Sequence, residues 1–91
     1  MTASDHIAAN AERSVRAILG PPTETFTASD GRRAALWSDG VRGATVAFGQ
    51  SYYGRVTVEL FSGTRSLTRC SLRLPTHAAR WIDQWIKEGI L

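Results

Sequence analysis

Two Asp-Gly pairs, Asp30-Gly31 and Asp39-Gly40, stand nine residues apart and constrain this chain more than any other feature. Both positions of such a pair accept positive φ, which the tight turn of a β-hairpin demands. The flanking runs T-E-T-F-T-A-S, R-R-A-A-L-W-S and V-R-G-A-T-V-A-F-G have strand-like composition. Two further runs, R-V-T-V-E-L-F and R-S-L-T-R-C-S-L-R-L, meet at S-G-T. Parallel neighbours need a crossover of a dozen or more residues, and this spacing leaves no room for one. An antiparallel meander of five strands is predicted.

Helical patterns bracket the meander. Ile7, Ala11, Val15 and Ile18 recur at helical spacing within residues 4–19, Ser4 or Asp5 can cap the start, and Gly20-Pro21-Pro22 stops it. A second helix is expected over residues 76–88, with Thr76 as N-cap, a stripe of Ala78, Ile82, Trp85 and Ile86, and Gly89 as the stop. The expected fold class is α+β, one domain over residues 1–91 with both helices packed on one side of the sheet. The element order over roughly residues 32–88 resembles that of small proteins in which a meander and a C-terminal helix bind single-stranded DNA as a dimer. The likeness is one of topology, carries no motif and leaves out the N-terminal helix.

Turn chemistry assigns the two sides of the sheet. With two-residue turns Phe26 faces Ala35, Ala35 faces Ala44, and Trp37 falls beside Arg42. The covered side then carries Phe26, Ala35, Trp37, Ala44, Val46, Phe48, Val56, Val58 and Leu60, joined by Cys70, Leu72 and Leu74. The opposite side carries Thr25, Thr27, Ala34, Leu36, Gly43, Thr45 and Ala47 on the first three strands. On the last two it carries Arg55, Thr57, Glu59, Phe61, Leu67, Arg69, Ser71 and Arg73. The last hairpin holds a conflict. A Gly63-Thr64 turn pairs Leu60 with Leu67, whereas matched core sides pair Leu60 with Thr68, and a longer loop or a bulge near Arg69 reconciles them.

Composition narrows the function. A hydrophobic fraction of 43% and a charged fraction of 21% belong to a globular chain rather than a disordered one. No apolar run approaches the ~20 residues of a membrane helix. The start, M-T-A-S-D-H-I-A-A-N, lacks the basic and apolar regions of a signal peptide, and Cys70 has no cysteine to pair with. A cytoplasmic location is expected. The net charge of +3 conceals an asymmetry: residues 31–80 hold eight arginines against Asp39 and Glu59, a local +6. Guanidinium groups suit phosphate because they bind it bidentately. Arg69 and Arg73 alternate on one strand, Arg55 lies near Arg73, and Arg65 sits in the adjoining turn, while Arg32, Arg33 and Arg42 gather near two other turns.

The stretch G-Q-S-Y-Y-G-R, Gly49 to Arg55, looks most like a site. As a phosphate loop it fails, because Arg55-Val56 stand where Lys and Ser/Thr are needed and a strand follows where a helix must open. As a nucleophile turn it has one residue too many, and again no helix follows. As the aromatic strand of an RNA-recognition fold it puts Arg55 and Val56 where stacking rings belong. A hairpin bend with half-buried Tyr52 and Tyr53 remains, or the same bend with those rings offered for stacking beside Arg55.

Metal and catalytic chemistry find no support in the spacing. His6, His77 and Cys70 are too scattered for a zinc set, Cys70 is expected on the core side, and Asp30 and Asp39 are explained by their turns. Glu59 can pair with Arg69 across the hairpin. No cofactor is expected, and the chain reads as a non-enzyme. Two functions fit. One is a homodimeric module for single-stranded nucleic acid, using Arg55, Arg65, Arg69 and Arg73 for phosphate and Tyr52 and Tyr53 for stacking. The other is a protein-interaction module (an adaptor, an antitoxin-like partner or a host-directed factor of a mobile element) that uses Leu36, Phe61 and Leu67.

Overall fold

The computed structural model describes residues 3–49 and 55–89. Its elements are α1 (Ala3–Leu19), β1 (Glu24–Thr27), β2 (Arg33–Ser38), β3 (Arg42–Phe48), β4 (Val56–Ser62), β5 (Arg65–Leu72) and α2 (Pro75–Glu88). The strands lie in chain order in one sheet and every neighbouring pair is antiparallel. This is the expected α+β meander.

Alternation along the strands builds the core. Ala35 and Trp37 of β2, Ala44, Val46 and Phe48 of β3, and Val56, Val58 and Leu60 of β4 all point to one side and are buried. Against them pack Ala11 and Val15 from α1, and Ala78, Ala79, Ile82 and Trp85 from α2. The alanines let the helix backbones come close to the sheet. Indole nitrogens tie the layers together. Trp37 Nε1 donates to the Gly20 carbonyl at 3.1 Å and Trp85 Nε1 donates to the Gly43 carbonyl at 3.1 Å. Trp81 lies half-buried at the edge of this cluster.

Helix α1 is rotated from the predicted stripe. Ala8, Ala11, Val15 and Leu19 face the core, while Ile7 and Ile18 are 42% and 37% exposed. The ion pairs of α1 match this rotation. Glu12 on the opposite flank takes ion pairs from Arg33 of β2 and from Arg16, with that flank toward the sheet. Helix α2 begins one residue early: Leu74 occupies the N-cap without a side-chain hydrogen bond and Pro75 starts the first turn, so Thr76 is not the cap. Gly89, with φ +69°, ends the helix as expected and donates to the Trp85 carbonyl.

Turn lengths correct the predicted registers. In the first hairpin Ala28 N–H donates to the Arg32 carbonyl and Gly31 N–H to the Ala28 carbonyl, with Gly31 at φ +89°. That is a three-residue loop whose glycine takes the left-handed position. Phe26 consequently faces Ala34 rather than Ala35. A slip of one residue reverses the side of a strand, so Phe26 leaves the core side and is 39% exposed on the other. In the second hairpin Gly40 and Val41, not Asp39 and Gly40, form the turn centre, and Asp39 Oδ1 accepts from the Val41 and Arg42 amides. Trp37 therefore faces Ala44 and not Arg42; the shift is an even one, and the sides survive.

The third hairpin resolves its conflict by keeping the two-residue turn and the core pairing of Leu60 with Thr68. Ser62 faces Arg65 across Gly63-Thr64, Phe61 faces Ser66, and Leu60 faces Thr68. The extra residue is Leu67, so the bulge sits there and not near Arg69. Leu67 packs against the core cluster, which removes it from the uncovered surface where it was expected.

At Gly43 the two sides of the sheet are coupled. A Cβ there would lie 2.6 Å from Phe61 Cζ and 2.9 Å from the Trp37 carbonyl oxygen. Backbone as well as ring would have to move. Gly43→Ala should therefore destabilise the fold by about 1–3 kcal/mol, the usual cost of overpacking, read from urea unfolding. A G43A protein as stable as the parent contradicts this close approach.

Candidate nucleic-acid interface

Both helices lie on one side of the sheet, so the other side is bare. Register arranges it in rows that run across the strands. One row is Phe26, Ala34, Ala47, Thr57 and Ser71, each facing the next on its neighbour. Two residues along the strands, about 6.8 Å away, runs a second row of Glu24, Leu36, Thr45, Glu59 and Arg69. On the other flank, one residue beyond the paired Val56 and Leu72, stand Arg55 and Arg73, and Arg32 stands at the same level just before β2. The small side chains of the first row make a trough, and longer ones on either flank make its walls.

Arg32 forms part of one wall of the trough. Its side chain is 11% exposed, with Nε donating to Asp30 Oδ2 at 2.7 Å and Nη1 to Thr57 Oγ1 at 2.9 Å. It therefore reaches from the start of β2 across to β4. Asp30 also accepts from the Arg32 amide at 3.1 Å. That amide, followed by the guanidinium, holds the Asp30 carboxyl below its ordinary 3.8. Together with Phe26, Ala28 and Ser29 on one side and Glu59 and Arg69 on the other, these residues line a half-open cavity of about 180 Å³. Glu59 and Arg69 face each other as predicted, yet no ion pair joins them.

The expected arginine clusters separate by function. Arg33 is bonded to Glu12, which pushes its pKa up, and sits on the helix side. Arg42 donates to the Ile86 carbonyl through Nε at 3.2 Å and Nη2 at 3.0 Å, and lies over the Trp85 ring. It neutralises the negative end of α2. Neither belongs to the bare side of the sheet. Arg69 and Arg73 are exposed on the bare side, with Arg55 at the matching position of the neighbouring strand. Arg65 is exposed too, but at the turn end of β5, eight residues and roughly 26 Å from Arg73. It does not join the others.

Of the remaining predicted residues, Leu36 and Phe61 are half-buried on the bare side, Phe61 across from Gly43, while Leu67 has gone to the core. Tyr52 and Tyr53 lie outside the described residues. Arg32 and Phe26 are the site residues that sequence reasoning missed. Gly31 was the available signal, because an Asp-Gly pair also suits a three-residue loop, and that loop turns Phe26 outward. Among the described residues no group of acidic, histidine and cysteine side chains could hold a metal ion, and no helix is long and apolar enough to cross a membrane.

The Asp30–Arg32 lock has a pH signature. A carboxylate whose folded pKa is depressed contributes stability above its unfolded value and loses it as pH falls through the folded one. The Asp30 carboxyl should titrate below 3.8 in a carbon-detected NMR titration. Arg32→Ala removes the guanidinium but keeps the amide, so the midpoint should rise part of the way back. A wild-type midpoint at or above 3.8 contradicts the lock.

Comparison of this chain with protein-family models, with curated proteins and with solved structures found no match. Its functional reading rests on the chemistry of this surface.

Proposed function

We propose that the protein is a non-enzymatic binding module that takes a single strand of nucleic acid along the trough on the bare side of its sheet. The observation that carries this is the row of Ala34, Ala47, Thr57 and Ser71 with Arg55 and Arg73 along its flank. Guanidinium groups bind phosphate bidentately, so a polyanion lying along this flank can take a contact from each arginine. Small residues in the trough leave room for planar groups, and the Phe26 ring at its end offers a face for stacking, worth roughly 1–3 kcal/mol per base.

Shape selects a single strand over a duplex. Duplex grooves are read by a projecting helix or ribbon, and this side of the sheet projects neither. It presents a trough that spans four strand spacings, about 19 Å, open to an extended chain. A second reading, a protein partner or a second copy of this chain, has its own support. Leu36 and Phe61 are half-buried apolar groups on the same side, away from Arg55 and Arg73.

The test is salt dependence. The native protein should bind single-stranded oligonucleotides with an affinity that falls as salt rises. Arg55→Ala with Arg73→Ala should lower the slope of log K against log salt by about 1.4, roughly 0.7 for each phosphate contact, without unfolding the protein. An unchanged slope puts the phosphate contacts elsewhere. No binding at low salt removes nucleic acid and leaves the protein partner, for which light scattering should then report a mass near twice that of the chain.

A further inference from the structure

The cavity at the Phe26 end of the trough holds two unequal sets of polar groups. On one wall is the Glu59 carboxylate, half-buried, with no hydrogen bond or ion pair to any described residue although Arg69 is directly opposite. An ionised carboxylate is acceptor-only and takes two N–H donors side by side. On the other wall is the Arg32 guanidinium. Nε is committed to Asp30 and one Nη1 hydrogen to Thr57; of its five N–H donors, the second on Nη1 and both on Nη2 remain. The floor is Ala34, Ala47 and Thr57, and Phe26 stands at one end. At about 180 Å³ the cavity is smaller than the ~300–1,000 Å³ of pockets for drug-sized ligands, which suits a single planar ring system.

The ligand that matches is a flat group with two adjacent N–H donors on one edge and acceptors on the edge across from it. Among the bases, guanine alone meets this: N1–H and N2–H lie side by side, and O6 and N7 are acceptors that arginine recognises. Adenine and cytosine each offer one exocyclic amine beside a ring acceptor, which a carboxylate repels. Uracil and thymine offer one N–H between two carbonyls. We infer that this cavity is a guanine-selective base subsite, in which Glu59 accepts from N1–H and N2–H, Arg32 donates to the O6/N7 edge and Phe26 packs on the ring. This rests on the proposed single-strand binding for its polymer context, but the cavity recognises the base by itself.

The experiment compares single-stranded oligothymidylates that carry one central dG, dI, dA or dC, with guanosine and adenosine monophosphates titrated separately. The dG oligomer should bind about tenfold tighter than the others, the factor that one good bidentate pair supplies. Inosine lacks only the N2 amine, and dI should fall with the rest. Glu59→Gln should abolish the difference between dG and dI while leaving the affinity for plain oligothymidylate and its salt slope unchanged. A thermal melt confirms that the variant is folded. Equal binding of all oligomers by the wild type overturns the guanine subsite and leaves strand binding standing. If no oligomer binds, strand binding fails; selective uptake of guanosine monophosphate then still supports the subsite, and no uptake overturns it as well.

Discussion

The hydrogen bond from the Trp85 indole to the Gly43 carbonyl joins the C-terminal helix to the middle of the sheet, and both sides of the molecule are organised around it. On the helix side Trp85 also lies beneath Arg42, which binds the last carbonyls of α2. On the bare side the missing Cβ of Gly43 makes room for the Phe61 ring. A glycine within a strand costs backbone entropy, and here it is offset by an indole bond below and a ring above. Once this position is fixed, alternation places every other residue of β3 and β4 on a known side.

Charge is then divided by side. The helix layer consumes Arg16, Arg33 and Arg42 in contacts with Glu12 and with the end of α2. Glu12 is nearly buried, so removing its arginines leaves a poorly solvated carboxylate. The regional excess of +6 therefore overstates the charge available to a ligand. What is left outside is concentrated on the bare side, with Asp30 holding Arg32 in place and Glu59 standing opposite Arg69. A surface of mixed sign selects among ligands more sharply than a uniformly basic one, because the wrong partner leaves a group unpaired.

Much of this fold is legible in the sequence, and the parts that are not have a common cause. The strands, their order, both helices and the buried set from Ala35 to Leu60 follow from hydrophobic periods of two and 3.6, which act over whole segments. The side taken by Phe26 depends instead on a single residue of loop length. Asp30-Gly31 suits a two-residue turn and a three-residue loop almost equally. Leu67 illustrates the same point: turn geometry and core packing set registers one residue apart, and leaving Leu67 out as a bulge keeps both the turn and the core pairing of Leu60 with Thr68. The reach of Arg32 to Thr57 is tertiary, and no local pattern announces it. The bare side was legible as a surface, but its trough and cavity needed the register.

The central claim is that the working surface is the side of the sheet that no helix covers. Amide chemical-shift mapping during titration with a single-stranded oligonucleotide tests it most directly. Ala34, Ala47, Thr57 and Ser71 should shift together with the flanking Arg69 and Arg73, while Ala11, Val15, Ala79 and Ile82 stay in place. Shifts that follow α1 and α2, with the row from Ala34 to Ser71 unmoved, would contradict it.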